Sequence, residues 1–404
     1  MVDTLTQILA FPSSLLLAVS FLLASFALHR YAKDRLIIKL LGSLRSARIL
    51  LAVGAIILAI EGTWSIPIHR SIVFLFYALV LLLSLCFAVL NGIERKATPG
   101  FLLNHTGLFI IVFAALFGAP DVSRSKLTVT QGQTANVAYS SDGFLVPLPF
   151  DVSLEEFKID YYTGTKAPRQ FTSNLIIGDE KMSVSVNHPL SYKGYTFFQD
   201  GYDPVAGRYT VLQVVRDPWL PLVYLGMLLL AVGSVMLLFE KWKSKLVIPA
   251  TLVLTVLFTI FTISKINFGT LMPALRSWWF VPHIFIYMVA YSLMVLALVI
   301  WLFPVKNKED LSNNLVRSSS ALLIIGLLTG AVWARQAWGD YWAWDPKENW
   351  AAVTWLISLI HLHLQDKRGW KAIVVIILAF LALQITWYGV NYLPSALDSL
   401  HTYN

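Results

Sequence analysis

The strongest constraint on this chain is an apolar stretch of bilayer-spanning length, about 20 residues, that recurs along almost all of it. Such stretches fall at 9–28, 48–66, 71–91, 101–118, 218–240, 246–264, 280–303, 318–337, 350–364 and 370–390, the ninth being the shortest. Charged residues make up only 13% of the sequence, where a soluble domain carries about a quarter. The expected fold is a polytopic all-α membrane protein of about ten transmembrane helices, with one small β-rich extracytoplasmic domain. The domain division that follows is a four-helix membrane part at 1–118, a β-rich domain at 119–217 and a six-helix membrane part at 218–404.

The net charge of +8 raises the possibility of nucleic acid as a partner, but its distribution points elsewhere. Seventeen Lys and Arg lie in the loops on one face and four in the short loops on the other. Cytoplasmic loops collect such residues, so both termini, the segment 119–217 and the loop 338–349 are expected outside, with membrane lipid as the surrounding partner and no nucleic acid. The N-terminus lacks a basic stretch, so no cleaved signal peptide is expected. The single cysteine, Cys86, lies in an apolar run, which excludes a disulfide framework and thiol exchange by a Cys-x-x-Cys pair. Within 119–217, alternation at Leu127–Thr130 and Met182–Val186, with turns at 141–143, 187–189 and 193–194, reads as short antiparallel strands.

Five of the eight histidines fall near the ends of four helices, at two depths of the membrane. His105 lies one turn into the fourth span and His361 and His363 end the ninth, all near the inner face. Two residues apart on a helix, His361 and His363 point about 200° apart, so only one can face a given pocket, and spacing does not choose between them. His283 opens the seventh span and His401 follows the tenth, both near the outer face. An ionisable residue inside a membrane is costly, and paired imidazoles commonly hold a haem iron from both sides. His29, His69 and His188 read as structural, the first two at interfacial helix ends.

Six of the fourteen tryptophans lie between 333 and 355. The loop Trp338-Gly-Asp-Tyr-Trp-Ala-Trp-Asp-Pro-Lys-Glu-Asn-Trp350 interleaves Trp338, Trp342, Trp344 and Trp350 with Asp340, Asp345, Lys347 and Glu348. A membrane-surface aromatic belt explains the rings but not the charges. A surface for a flat apolar ligand with charged substituents explains both. For haem, Lys347, Arg335 and Arg276 are candidate propionate partners, while Asp345 and Glu348 would brace the loop or orient a ligand histidine.

That loop resembles the tryptophan-rich "WWD" signature of haem-handling proteins in cytochrome c maturation. The helix segment Thr354–His363 and the ending Tyr388–Asn404 resemble the CcsA (ResC) proteins of System II. Asn104-His-Thr-Gly-Leu-Phe109 and Val186–Asp203 resemble their partner CcsB (ResB), so the chain looks like a compact fusion of the two, with a shorter outer domain than many CcsB proteins. The resemblance implies that His105 and His363 are axial ligands of haem b at an inner site, which selects His363 over His361. It implies that His283 and His401 are the ligands at an outer site, beside the tryptophan loop. It further implies a cytochrome c haem lyase of the bacterial inner membrane that attaches haem to the Cys-x-x-Cys-His of apocytochrome c, whose thiols are kept reduced by other proteins. A bis-histidine electron-transfer cytochrome and a haem exporter without ligase activity are the alternatives.

Overall fold

The structure, a computed structural model, describes residues 9–239, 247–263, 268–304 and 307–399. A helix stands at each of the ten expected spans. They are α1 (Ser13–Ala32), α3 (Leu44–Trp64), α4 (Ile72–Glu94), α5 (Pro99–Gly118), α6 (Leu220–Phe239), α7 (Val247–Ile263), α8 (Phe280–Leu302), α9 (Lys308–Trp338), α10 (Pro346–Leu362) and α11 (Trp370–Trp387), with a short α2 (Leu36–Leu41) added. Among the described residues seven helices are long and apolar enough to cross a membrane, namely α1, α4, α5, α6, α8, α9 and α11. The other three expected spans, α3, α7 and α10, lie outside that set, and α7 and α10 have 17 residues each. This is the make-up of a multi-pass membrane protein.

Local sequence fixes several helix starts. Ser43, Ser71 and Thr98 each accept the backbone N–H three residues on, and Pro99 follows Thr98 at the first helical position. Each side chain satisfies an amide that the helix itself leaves unpaired.

The β-rich segment forms one eight-stranded antiparallel sheet in the order β5-β4-β3-β2-β1-β8-β7-β6. Its strands are β1 (Ser123–Thr130), β2 (Thr134–Ser140), β3 (Leu145–Tyr161), β4 (Pro168–Ile177), β5 (Glu180–Ser185), β6 (Leu190–Tyr192), β7 (Tyr195–Tyr202) and β8 (Tyr209–Arg216). The expected turns join β2 to β3, β5 to β6 and β6 to β7. Lys193 and Gly194 both have positive φ (45° and 83°), as a two-residue hairpin of favourable twist requires. The sheet curls onto itself. The Ser173 hydroxyl on β4 lies 2.7 Å from Gln199 Oε1 on β7 and 2.8 Å from Thr210 Oγ1 on β8, strands far from β4 in the sheet order. Leu127, Leu154, Leu175, Phe197 and Leu212 fill the interior between them.

The membrane core is centred on α8 and α9, where Met288, Leu293, Met294, Leu315 and Leu323 are buried together with Trp355 of α10. Helix α3 packs against α10, with Gly62 so close that a Cβ there would stand 2.9 Å from the Asn349 side chain. The N-terminal helices therefore reach into the C-terminal half of the molecule.

Candidate functional site: two histidine clusters joined by one helix

Helix α10 carries part of both clusters. Its N-cap is Asp345 and its C-cap is His363, about 27 Å apart at 1.5 Å per residue.

At the C-terminal end of α10, the rings of His105 and His363 meet with centroids 6.3 Å apart and planes at 65°. His105 Nδ1 donates to the Phe101 carbonyl at 2.9 Å, and His363 Nδ1 donates to the Leu359 carbonyl at 2.8 Å. A carbonyl only accepts, so on both rings the proton sits on Nδ1 and Nε2 carries the lone pair. Each ring is thus held in the tautomer that can bind a metal, by a carbonyl four residues back on its own chain. His361 is fully buried and points away, with Nε2 2.9 Å from Asn313 Oδ1 on α9. The geometry brings His363, not His361, to His105.

At the N-terminal end of α10, α9 stops at Gly339, whose φ of 87° is a left-handed helix end, and the Gly339 N–H bonds the Arg335 carbonyl at 3.1 Å. Buried Arg335 turns back and donates to the Gly339 carbonyl, and its guanidinium lies 5.1 Å from the centre of the Phe198 ring of β7. Arg276 donates to the Arg169 carbonyl at 3.2 Å, beside the sheet domain. Lys347 stands in the first turn of α10.

The loop re-enters helix at a capping box. Asp345 Oδ1 accepts the Lys347 N–H at 2.7 Å, Glu348 Oε2 accepts the Ala343 and Asp345 N–H groups at 2.8 and 3.3 Å, and Pro346 takes the first helical position. Just before it, Trp344 adopts φ 60°, a left-handed conformation that costs a non-glycine residue about 1–3 kcal/mol and must be held by its surroundings. Asn349 Nδ2 bonds the Trp344 carbonyl at 3.0 Å.

His283 lies one turn into α8. Its Nδ1 donates to the Gly326 carbonyl of α9 at 2.8 Å, again leaving the lone pair on Nε2. Its ring stands 4.9 Å from that of Tyr287 and 5.9 Å from that of Trp333. Trp333 touches Trp338 at 5.2 Å, which connects His283 to the tryptophan loop. His401 lies outside the described residues. The tail leading to it is anchored at the loop, because the Ser399 hydroxyl donates to Asp345 Oδ1 at 3.2 Å and the Ser395 hydroxyl donates to the Gly62 carbonyl at 2.6 Å.

Comparison with known proteins bears on what this arrangement is for. A family profile described as "Cytochrome C assembly protein" matches residues 219–397, and one described as "ResB-like family" matches residues 95–207. A cytochrome c biogenesis protein CcsA of Prochlorococcus marinus is 32% identical over 213 residues, covering 40% of this chain and 68% of that protein. This chain belongs to the CcsA family of cytochrome c biogenesis proteins. The CcsA of Chlamydomonas reinhardtii is 33% identical over 198 residues, 44% of this chain and 56% of that one. That of Cyanophora paradoxa is 46% identical over 97 residues, 30% of its length. The chain thus spans about half or less of these two relatives. Its CcsA part follows a ResB-like part in a single polypeptide, a CcsB–CcsA fusion, and both clusters draw on the CcsA part.

One contributor escapes a reading of the sequence. His69, in the turn between α3 and α4, stacks on Trp344 with centroids 4.3 Å apart and planes at 7°. No local pattern marks it, since its partner is distant in the chain and the contact exists only once α3 is seated on α10.

Proposed function

We propose that the chain is a cytochrome c haem lyase that carries haem b through the membrane and presents it for covalent attachment. The observation that carries this reading is the His105–His363 pair, two imidazoles with ring centres 6.3 Å apart and their Nδ1 protons given to backbone carbonyls. That spacing is of the size required when two ring nitrogens each lie about 2 Å from one shared metal. Neutral imidazole donors suit a haem iron, here the cargo.

In this reading haem enters at the inner side between His105 and His363. It is next held at the outer side by His283 and His401, against the rings of Trp338, Trp342, Trp344 and Trp350. Lys347, Arg276 and Arg335 are the cations available to its propionates. Asp345 and Glu348 hold the loop through their bonds to backbone amides. The partner is an apocytochrome c bearing Cys-x-x-Cys-His. Its histidine takes one axial position and each thiol adds across a haem vinyl group, the sulfur bonding one vinyl carbon and the proton going to the other. The work of the chain is to position these groups. The substrate thiols are kept reduced by a separate protein, since this chain has one cysteine. The membrane is the bacterial inner membrane, with ten spans and both termini, the sheet domain and the tryptophan loop outside, in keeping with the excess of Lys and Arg in the opposite loops.

The test is co-expression with a Cys-x-x-Cys-His apocytochrome c in a host without its own maturation system, followed by haem staining of a denaturing gel. A stained band at the mass of the cytochrome is expected. Haem bound to this chain with no such band would mean an exporter or an electron carrier instead.

A further inference from the structure

The turn between α3 and α4 lies upstream of both family matches, and it meets the tryptophan loop through one residue. Glu61, near the end of α3, is 3% exposed. Both of its carboxylate oxygens go to His69: Oε1 accepts the ring Nδ1–H, and Oε2 accepts the His69 backbone N–H at 3.2 Å. Arg70 Nε donates to His69 Nε2 at 3.3 Å. Arginine only donates, so Nε2 is the acceptor and the proton rests on Nδ1, towards the carboxylate. The imidazole is thereby fixed in tautomer and in rotation about its own axis.

One face of the fixed ring lies flat on Trp344, and Phe74 of α4 meets the same indole edge-on at 5.3 Å. Trp344 is a residue of the loop with a left-handed backbone, and Trp342 packs edge-on against its ring at 6.3 Å. A strained residue keeps its conformation only where its surroundings over-determine it.

We infer that the α3–α4 turn is a wall of the outer site, in which buried Glu61 orients His69 and His69 clamps Trp344 in the conformation that the tryptophan loop needs. His69 is a positioning residue, acting on the ligand surface through Trp344. The consequence for haem rests on the function proposed above; the clamp itself does not.

The two parts are tested separately on the purified full-length chain. His69→Gln keeps a donor for Glu61 and removes the stacked ring. Amide hydrogen exchange across 339–345 is expected to rise about tenfold in this variant, because the loop opens locally more often. The double variant His69→Phe with Glu61→Gln restores a stacking ring without leaving a buried charge, and exchange is expected to return to within about twofold of the wild type. Unchanged exchange in His69→Gln overturns the clamp, and so does a folded double variant that stays as fast as His69→Gln. Should His69→Gln fail to fold, Glu61→Gln alone reads the same claim, with exchange expected to rise severalfold and wild-type exchange overturning it. The absorption spectrum of co-purified haem then reads the consequence: a shift in His69→Gln with the double variant matching the wild type. A wild-type chain that carries no haem would sink the haem function and leave the exchange result standing.

Discussion

The His105–His363 cluster and the cluster at the tryptophan loop, the inner and outer sites of the proposed function, are built by opposite means. At the inner one, His105 and His363 are each oriented by the carbonyl four residues back in their own chain segment. Only the seating of α5 and α10 has to be supplied from elsewhere. At the outer one, His283 is oriented by a carbonyl of another helix, and the tryptophan loop is tied on three sides: Arg124 of β1 to Asp340, His69 to Trp344 and Ser399 to Asp345. A site made of locally fixed parts withstands distant change. A site made of converging segments reports on all of them.

The largest effect expected is from His105→Ala. If the inner pair admits haem to the whole protein, this variant should purify with at least about tenfold less haem per chain, the lower end of what even an outer-shell metal-site change costs. Pyridine haemochrome absorbance against protein concentration measures it. Unchanged loading would remove the inner site and the comparison with it.

His283→Gly should do less. It vacates one imidazole at the outer cluster and leaves both inner rings in place, so a part of the haem should remain. Added imidazole should restore attachment of haem to a co-expressed apocytochrome c. No rescue, with haem content equal to the wild type, would show that His283 is not an axial ligand.

A smaller change sharpens the same point. A Cβ at Gly330 would stand 2.6 Å from His283 Cε1 and 2.9 Å from Nδ1, so Gly330→Ala must tilt the ring and weaken its bond to the Gly326 carbonyl. Attachment should fall severalfold, on the order of the 0.5–1.5 kcal/mol of one hydrogen bond, while haem at the inner pair is unaffected. Equal loss at both clusters would mean that they are not built independently.

What could be read in the sequence follows the same division. The apolar runs are local signals, and a helix stands at each of them. His361 and His363 could be separated by helical periodicity but not assigned, because the choice depends on Asn313 and His105 from other helices. His69 read as an interfacial residue, since its role depends on a packing contact between α3 and α10 that leaves no periodic trace. Arg335 read as a cation for the ligand, yet its nearest bond is to the Gly339 carbonyl, a geometry set by a glycine helix end four residues on.

The weakest tie gives the finest test. Arg124 Nη2 lies 2.6 Å from Asp340 Oδ1, but the two side chains are 45% and 25% exposed, so water screens the pair. Such a bridge is worth about 0–1 kcal/mol. Arg124→Ala should therefore lower thermal stability by no more than that, and haem loading at the inner pair should not change. If the sheet domain acts only as a platform, attachment should fall by less than about fivefold, the equivalent of 1 kcal/mol. A much larger loss, with inner haem intact, would mean that the sheet domain sets the shape of the loop through Asp340. The outer site would then be governed from two directions, by the sheet domain through β1 and by the α3–α4 turn.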